Sequence, residues 1–442
     1  MSADGAPAGT TAAARPGGVL PPVERICSDL IRFDTGNPGG NEREAAEYVA
    51  ECLARTGVEP VVLEAAQGRG NVVARVPGDD PSAPALLIQG HLDTVPAEPE
   101  LWSKHPHSGD ISDGCVWGRG AVDMKNAVAM TLAALDRLLA SGRRPRRDLV
   151  LAFVADEETG GREGAAFLVH EHRDLFEGCA VALGEVGGFN VPSADGTPTF
   201  AISVADKGLR WYEIRRTGVA GHGSMVARDN PIAGLAEIVR GLLSAPPVPA
   251  VLDPMRTLAE SVSGRTLTGP DEVYEVLATS TGPFAPMLAA GARNTVNVTR
   301  VGGGYKENVI PSEAWARVDC RYVPGHEDAL HEMIERSLSG RAAAELLRRS
   351  PAVVSDHAGT WFDHLAGSLT AVAPGCRVAP FVFSGGTDNK WFAELGVPTY
   401  GFTPMLLPDG FDFPAMFHGV DERFPVESLH FGVDVLEHLF AR

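Results

Sequence analysis

Apolar positions along the chain follow two rhythms, one helical and one extended. Val23, Ile26 and Leu30 recur at helical spacing over Pro22 to Phe33. Ala45, Val49, Cys52 and Leu53 repeat that spacing over Asn41 to Thr56, so both stretches are expected to form amphipathic helices. Val58 to Glu64, Asn71 to Val76 and the apolar run from Leu86 read as strands. A long helix is expected from about Asn126, then an almost wholly apolar strand over Leu149 to Ala155 and a short one from Val181 to Gly184. Helices and strands alternating in this way predict an α/β domain.

Beyond Gly208 the texture changes. Gly208 to Arg216 reads as a strand, and Asn230 followed by Pro231 marks the start of a helix whose buried face is Ile232, Leu235, Ile238, Val239 and Leu242. Asn294 to Val301 and Ser312 to Val323 form a strand pair. In the second, Ala314, Ala316, Val318, Cys320 and Tyr322 share one face, and Arg317, Asp319 and Arg321 the other. His326 to Ser339 is a helix with Leu330, Met333, Ile334 and Leu338 inward. The expectation is an inserted α+β domain over 207–358, two helices on a four-stranded antiparallel sheet, dividing an α/β domain built from 19–206 and 359–442. Residues 245–292 carry many Pro, Gly and Ser with weak periodicity and stay unassigned. Residues 1–18 hold almost no large apolar side chains and are expected to be a disordered tail.

Composition narrows the partners. With 38 basic against 57 acidic residues, the formal charge of -19 repels phosphate backbones and anionic membranes, which disfavours nucleic acid and membrane partners. The six cysteines are scattered without a C-x-x-C pair, as suits reduced thiols in a cytosol. The start shows no basic stretch running into an apolar one, and the longest apolar stretch is interrupted by Asp136 and Arg137. A soluble cytoplasmic protein is therefore expected.

The candidate chemistry lies where apolar segments end. His91 and Asp93 follow a strand two residues apart, which in extended backbone puts both on one side. Asp123 stands at a helix entrance after Gly118 and Gly120, where a capping role would be the ordinary explanation. Asp156, Glu157 and Glu158 are three acids in succession, which repel one another unless a cation, protons or solvent relieves them. Glu185 is delivered into a glycine turn, and His418 precedes the closing helix. Together His91, Asp123, Glu158, Glu185 and His418 offer two imidazoles and three carboxylates, a donor set that suits zinc, with manganese or cobalt as alternatives.

Six motifs occur in order: Gly90-His-Leu-Asp-Thr-Val-Pro96, Gly118-Arg-Gly-Ala-Val-Asp-Met-Lys125, Asp156-Glu-Glu-Thr-Gly160, Gly221-His-Gly-Ser224, Gly385-Gly-Thr-Asp388 and His418-Gly419. On them the chain, from about residue 22 to its end, resembles the M20 family of dinuclear zinc metallohydrolases, which includes carboxypeptidases, aminoacylases, acetylornithine deacetylases and succinyl-diaminopimelate desuccinylases. The resemblance implies a zinc-exopeptidase-like catalytic domain with a mixed, largely parallel sheet flanked by helices, and makes the inserted domain a lid and dimerisation module. It implies two zinc ions per chain, one on His91 and Glu185, the other on Glu158 and His418, with Asp123 between them and Asp93 orienting His91. Glu157 would be the general base that takes a proton from a metal-bridging water and passes it to the leaving amine. In a homodimer His222, otherwise an ordinary turn residue, would reach the partner's site and stabilise the oxyanion. Asn308 and Arg321 would grip the substrate carboxylate, and Gly386 and Thr387 would line that pocket.

Glu185 sits in Gly-Glu-Val-Gly-Gly, closer to the peptidase and aminoacylase branches than to the Gly-Glu-Pro-Thr type of the deacetylases and desuccinylases of amino-acid biosynthesis. The expected activity is cleavage of an amide bond in an N-acyl amino acid or small peptide with a free carboxylate. A non-catalytic dimeric binding module is disfavoured, because such a protein has no use for a general base. A phosphoesterase is disfavoured because no basic cluster adjoins the motifs in sequence.

Overall fold

The computed structural model describes residues 19–245 and 250–442; the expected tail, 1–18, lies outside them. Six main strands of the large sheet come from the first half of the chain: β1 (Pro60–Glu64), β2 (Gly70–Val76), β3 (Ala85–His91), β4 (Leu149–Val154), β5 (Cys179–Gly184) and β6 (Thr199–Asp206). The next four, β7 (Gly208–Thr217), β8 (Thr295–Gly303), β9 (Glu313–Tyr322) and β10 (Ala343–Ser350), make a separate sheet. Two more, β11 (Arg377–Phe383) and β12 (Thr399–Gly401), return to the first.

The large sheet runs β1-β2-β4-β3-β5-β12-β6, with β11 also on β6. Its centre, β4-β3-β5-β12, is parallel, whereas β1 on β2, β2 on β4 and β12 on β6 pair antiparallel. The sheet is thus mixed, and its central parallel strands are the ones that end at the candidate site. Both faces are covered. Leu86, Ile88, Leu149, Leu151 and Phe153 enter one core, while Leu87, Val150, Ala152 and Val154 enter another with Leu168 and Val169 of the helix Ala165–Glu171. Burial on two faces is why β3 and β4 read as unbroken apolar runs.

The longer helices are α1 (Val23–Ile31), α2 (Glu42–Arg55), α3 (Lys125–Ala140), α4 (Pro231–Ser244), α5 (Asp253–Ser263), α6 (Pro270–Thr279), α7 (Ala285–Gly291), α8 (Glu327–Leu338), α9 (Thr360–Val372) and α10 (Val426–Phe440). The smaller sheet has the order β8-β9-β7-β10, all antiparallel. Alternate residues of β9, from Ala314 to Tyr322, are buried in a core shared with Leu235, Ile238 and Leu242 of α4 and Leu330, Met333, Ile334 and Leu338 of α8. The side-chain oxygen of Asn230 accepts from the Ile232 N–H, as its position before Pro231 implied. Asn230→Ala is expected to cost about 1 kcal/mol, seen as a lower denaturation midpoint for the smaller sheet.

The unassigned stretch departs from the expected boundaries. Helices α5, α6 and α7 lie within the range 207–358, yet Met255, Leu258, Val262, Val273, Leu277 and Leu288 join the core of the large sheet. The helices pack there because their apolar faces are large enough to need a sheet, and α4 and α8 already cover the inner face of the smaller one. Among the described residues no helix is long and apolar enough to cross a membrane, and all six cysteines are free.

Candidate active site

β3 carries His91 to its end and buries it. The Nδ1 of His91 is 2.9 Å from the Asp93 carbonyl oxygen and 3.5 Å from Asp93 Oδ1, so the ring is steered mainly by the backbone of Asp93. The Asp93 carboxylate has further partners: it accepts from Asn37 Nδ2 (2.5 Å) and from the N–H groups of Glu157 (3.1 Å) and Glu158 (3.0 Å). One buried acid therefore fixes both the imidazole and the acidic turn.

Asp123 is placed by a tightly folded loop. Gly118 has φ 142°, and a Cβ there would meet the Pro106 carbonyl and the Ile31 side chain. Glu422, fully buried, accepts from the N–H groups of Gly120 (3.1 Å), Val122 (2.7 Å) and Asp123 (3.2 Å) and from Arg119 Nη1 (2.7 Å). Arg119 also donates to the His418 carbonyl (3.2 Å), so one buried pair ties the Asp123 loop to the His418 loop. Asp123 does not cap α3. Its Oδ1 lies 2.9 Å from His91 Nε2 and its Oδ2 3.3 Å from His418 Nε2.

The acidic run is a single 3-10 turn, Glu157–Thr159, entered through Asp156 at φ 70°. Glu157 and Glu158 diverge within that turn, Glu157 toward Lys390 and Glu158 toward His418. Glu158 Oε2 lies 3.3 Å from His418 Nε2, while its Oε1 accepts from the Val95 N–H at 3.1 Å. Glu157 faces Lys390 Nζ at 3.8 Å, and Glu185 Oε2 is 3.8 Å from His91 Nε2. His418 and Val186 both hold φ 57°, left-handed backbone at residues other than glycine, as segments that aim a functional group often require.

Two donor groups result, His91 with Glu157 and Glu185, and Asp123 with Glu158 and His418, each with its donor atoms within 4.8 Å of one another. Burial pushes Glu157 well above the usual carboxylate range, lifts Glu158, and raises Glu185 to about 7. Burial also acts on Asp123, but hydrogen bonds to His418 and His91 outweigh it and hold that carboxyl below its ordinary value. Burial opposes charge on His91, yet hydrogen bonds with Asp123, Asp93 and Glu185 raise it well above normal; Asp123 and Glu158 lift His418 to about 10. Positive charge is thus favoured at the two places where these donors converge. Asp123 already divides its oxygens between them, so the donor set fits a pair of divalent cations.

The cleft over this site has a volume of about 690 Å³ and lies between the large sheet and the outer face of the smaller one. Asp123, Glu157, Glu158, Glu185 and His418 line it together with Arg321 and Gly386. Thr387 is buried below the surface, its hydroxyl donating to Asp206 at 2.6 Å, so it braces the loop and leaves the pocket to Gly386. His222 and Asn308 lie apart from the lining, on a short ribbon where Gly221–His222 pairs with Val309–Ile310. His222 is exposed there and bonded to Ser224 Oγ at 2.8 Å.

Three cations enter the cleft, where the sequence showed no basic cluster: Arg321, Arg348 and Lys390. Lys390 is held beside Asp388 and Glu157, and Arg321 is doubly bonded to Asp319 at 2.8 and 3.1 Å. Arg348, on β10, stacks on Trp211 and lies so close to Gly160 that a Cβ there would strike its guanidinium. Lys390 follows the Gly385–Asp388 motif by two residues and could have been found from it. Glu422 likewise follows the His418-Gly419 motif by three residues, whereas Arg348 has no comparable local signal, because distant folding brings it in.

The family model for peptidase family M20/M25/M40 matches residues 87–442. The chain belongs to this family. It is an M20 hydrolase, and the resemblance carried by its six motifs is borne out. It is 31% identical over 387 residues to Probable carboxypeptidase S-like 2 of Dictyostelium discoideum, covering 82% of this chain and 72% of that one. With Aminoacylase-1 of Mus musculus this M20 chain shares 25% over 430 residues, 95% of each. The M20 family metallo-carboxypeptidase Sso-CP2 from Sulfolobus solfataricus has the same fold, with a TM-score of 0.73 over 96% of this chain and 99% of that one at 19% identity.

Proposed function

We propose that this M20 hydrolase binds two zinc ions and cleaves an amide bond next to a free carboxylate, in an N-acyl amino acid or short peptide. The observation that carries the reading is Asp123 set between His91 and His418, with Glu157 half-buried alongside. His91 and Glu185 would hold one ion, Glu158 and His418 the other, and Asp123 both. When bound, such ions activate water and polarise a carbonyl. Glu157 receives the proton of the attacking water and returns it to the leaving amine, while Lys390 keeps its carboxylate aimed into the cleft. Arg321 and Arg348 offer guanidinium groups to the substrate carboxylate. Arg348 has no acidic partner among the described residues, so Arg348→Ala is expected to raise KM more than Arg321→Ala does. His222 and Asn308 are supplied by a second copy of the chain.

Metal analysis joined to a panel of N-acyl amino acids and dipeptides tests the reading. Two equivalents of zinc per chain, chelator-sensitive turnover and loss of both ions in Asp123→Ala are expected. Full activity of metal-free protein would refute it. Metal affinity should also rise with pH. With its pKa raised to about 10, His418 holds a proton at neutral pH that a cation must displace, so the apparent Kd should fall about tenfold per pH unit for that proton. Competition with a chromophoric chelator at several pH values measures this.

A further inference from the structure

The helical stretch that breaks the expected domain boundary also reaches the cleft. Pro286, Met287 and Ala290 of α7 line it, and Phe383, Pro414 and Phe417 continue the same apolar surface toward His418. We infer that α7 and these three residues form a subsite for a large apolar group on the substrate, so that the preferred substrate is an amide-linked carboxylate carrying a long acyl chain or a bulky apolar side chain. The inference rests on the amidohydrolase reading and adds a substrate class to it.

Three observations support a built subsite. The wall is rigidly seated: Phe284, immediately before α7, stacks on Phe189 with centroids 5.0 Å apart and contacts Phe413 at 6.2 Å, and Phe413 meets Phe417 edge-on at 5.0 Å. An aromatic chain therefore runs from the insertion to the residue before His418. The other end of α7 is pinned by Lys207, whose Nζ donates to the carbonyls of Ala290 (3.0 Å) and Arg293 (2.9 Å) and to Thr295 Oγ1 (3.0 Å), where the chain enters β8. Finally, the cleft falls in the range of about 300–1,000 Å³ that buries drug-sized ligands. An acetyl group with a small side chain would leave most of the apolar wall against water, whereas a bulky group would cover it.

The cations Arg321 and Arg348 stand on the smaller sheet, where Leu209 and Trp211 also line the cleft, so guanidinium groups and apolar surface are offered within one cleft. A cleft that offers both suits an amphipathic substrate better than one that is polar throughout.

Two substrate series on the zinc-loaded full chain test the inference and distinguish its two sources. One keeps the amino acid constant and lengthens the acyl group from acetyl to octanoyl and lauroyl; the other keeps acetyl constant and varies the side chain from glycine to leucine and phenylalanine. In at least one series kcat/KM should rise tenfold or more with apolar size. The series that rises identifies the acyl group or the side chain as the occupant. In Met287→Ala and in the more exposed Pro286→Ser, the ratio of kcat/KM for the bulkiest to the smallest member should fall at least threefold, while Met287→Leu should keep it. Flat series with an active enzyme, or ratios unmoved in both variants, would overturn the subsite and leave the amidohydrolase reading standing. Turnover of no amide by metal-loaded protein would overturn that reading and the subsite with it.

Discussion

Glu157→Gln is expected to lower kcat by about a hundredfold to ten-thousandfold while the protein keeps both metals. The side chain is half-buried in the cleft, and its desolvation raises its pKa, with Glu185 and Asp388 adding to the rise and Lys390 at 3.8 Å opposing it. A carboxylate lifted in this way is a stronger base than an exposed one and can accept a proton near neutral pH. Glutamine preserves the shape and the turn but cannot take the proton. Glu158→Gln should behave differently, since Glu158 faces His418 at 3.3 Å and its loss should empty one metal position. Metal stoichiometry measured beside single-turnover rates separates the two. The geometry makes this a demanding test, because Glu157 lies within ligand distance of His91 and Glu185. A Glu157→Gln protein that lost metal while Glu158→Gln retained it would exchange their roles.

What could be read from the sequence follows the range of the forces involved. His91, Glu158 and Glu185 stand at or just beyond the ends of strands buried on both faces, and such strands announce themselves as apolar runs that stop abruptly. β9 was legible because one face is buried and the other open, which leaves strict alternation. β10 was not: Ala343–Ser350 alternates poorly and is half exposed, and it is held by its pairing with β7. Helices α5, α6 and α7 were obscured by their prolines, which suggested irregular chain. Pro254, Pro270 and Pro286 occupy first turns, where a missing N–H costs nothing, so they mark helix starts. The contacts that brace the site were hidden for a related reason. Asn37 on Asp93 spans 56 residues and Glu422 on the Asp123 loop about 300, and no local pattern reports such a pairing.

These braces suggest why the motifs have the form they do. Asp93 is bonded to the backbone of the Glu157 turn, and Glu422 joins the loops of Asp123 and His418, so candidate ligands from separate segments are held by buried acids that do not line the cleft. A constellation that must place like charges close together needs such support before any cation arrives. His222 and Asn308 lack it: they share an exposed ribbon, with the Gly223 N–H donating to the Asn308 carbonyl at 2.8 Å.

The exposed ribbon leads to the second large expected effect, recovery of activity on mixing two inactive proteins. Val219, Met225, Val226, Ile232, Val301 and Tyr305 are all exposed on the segments that surround or adjoin His222, a concentration of apolar side chains that a second copy of the chain would cover. β8 is also an edge strand of the smaller sheet, free to pair across a two-fold axis. In such a homodimer His222 would stabilise the oxyanion in the partner's cleft, and both His222→Ala and Glu157→Gln should be nearly inactive alone. In the mixed dimer, the chain with an intact Glu157 receives an intact His222 from its partner, so one of its two sites works. Random exchange at equal concentrations makes half the dimers mixed, and half of their sites competent, giving about a quarter of wild-type activity. Exchange is verified with differently tagged chains, and the assembly state by light scattering at the assay concentration. A fully active monomer, or no recovery after proven exchange, would place His222 in its own chain's site or outside catalysis altogether.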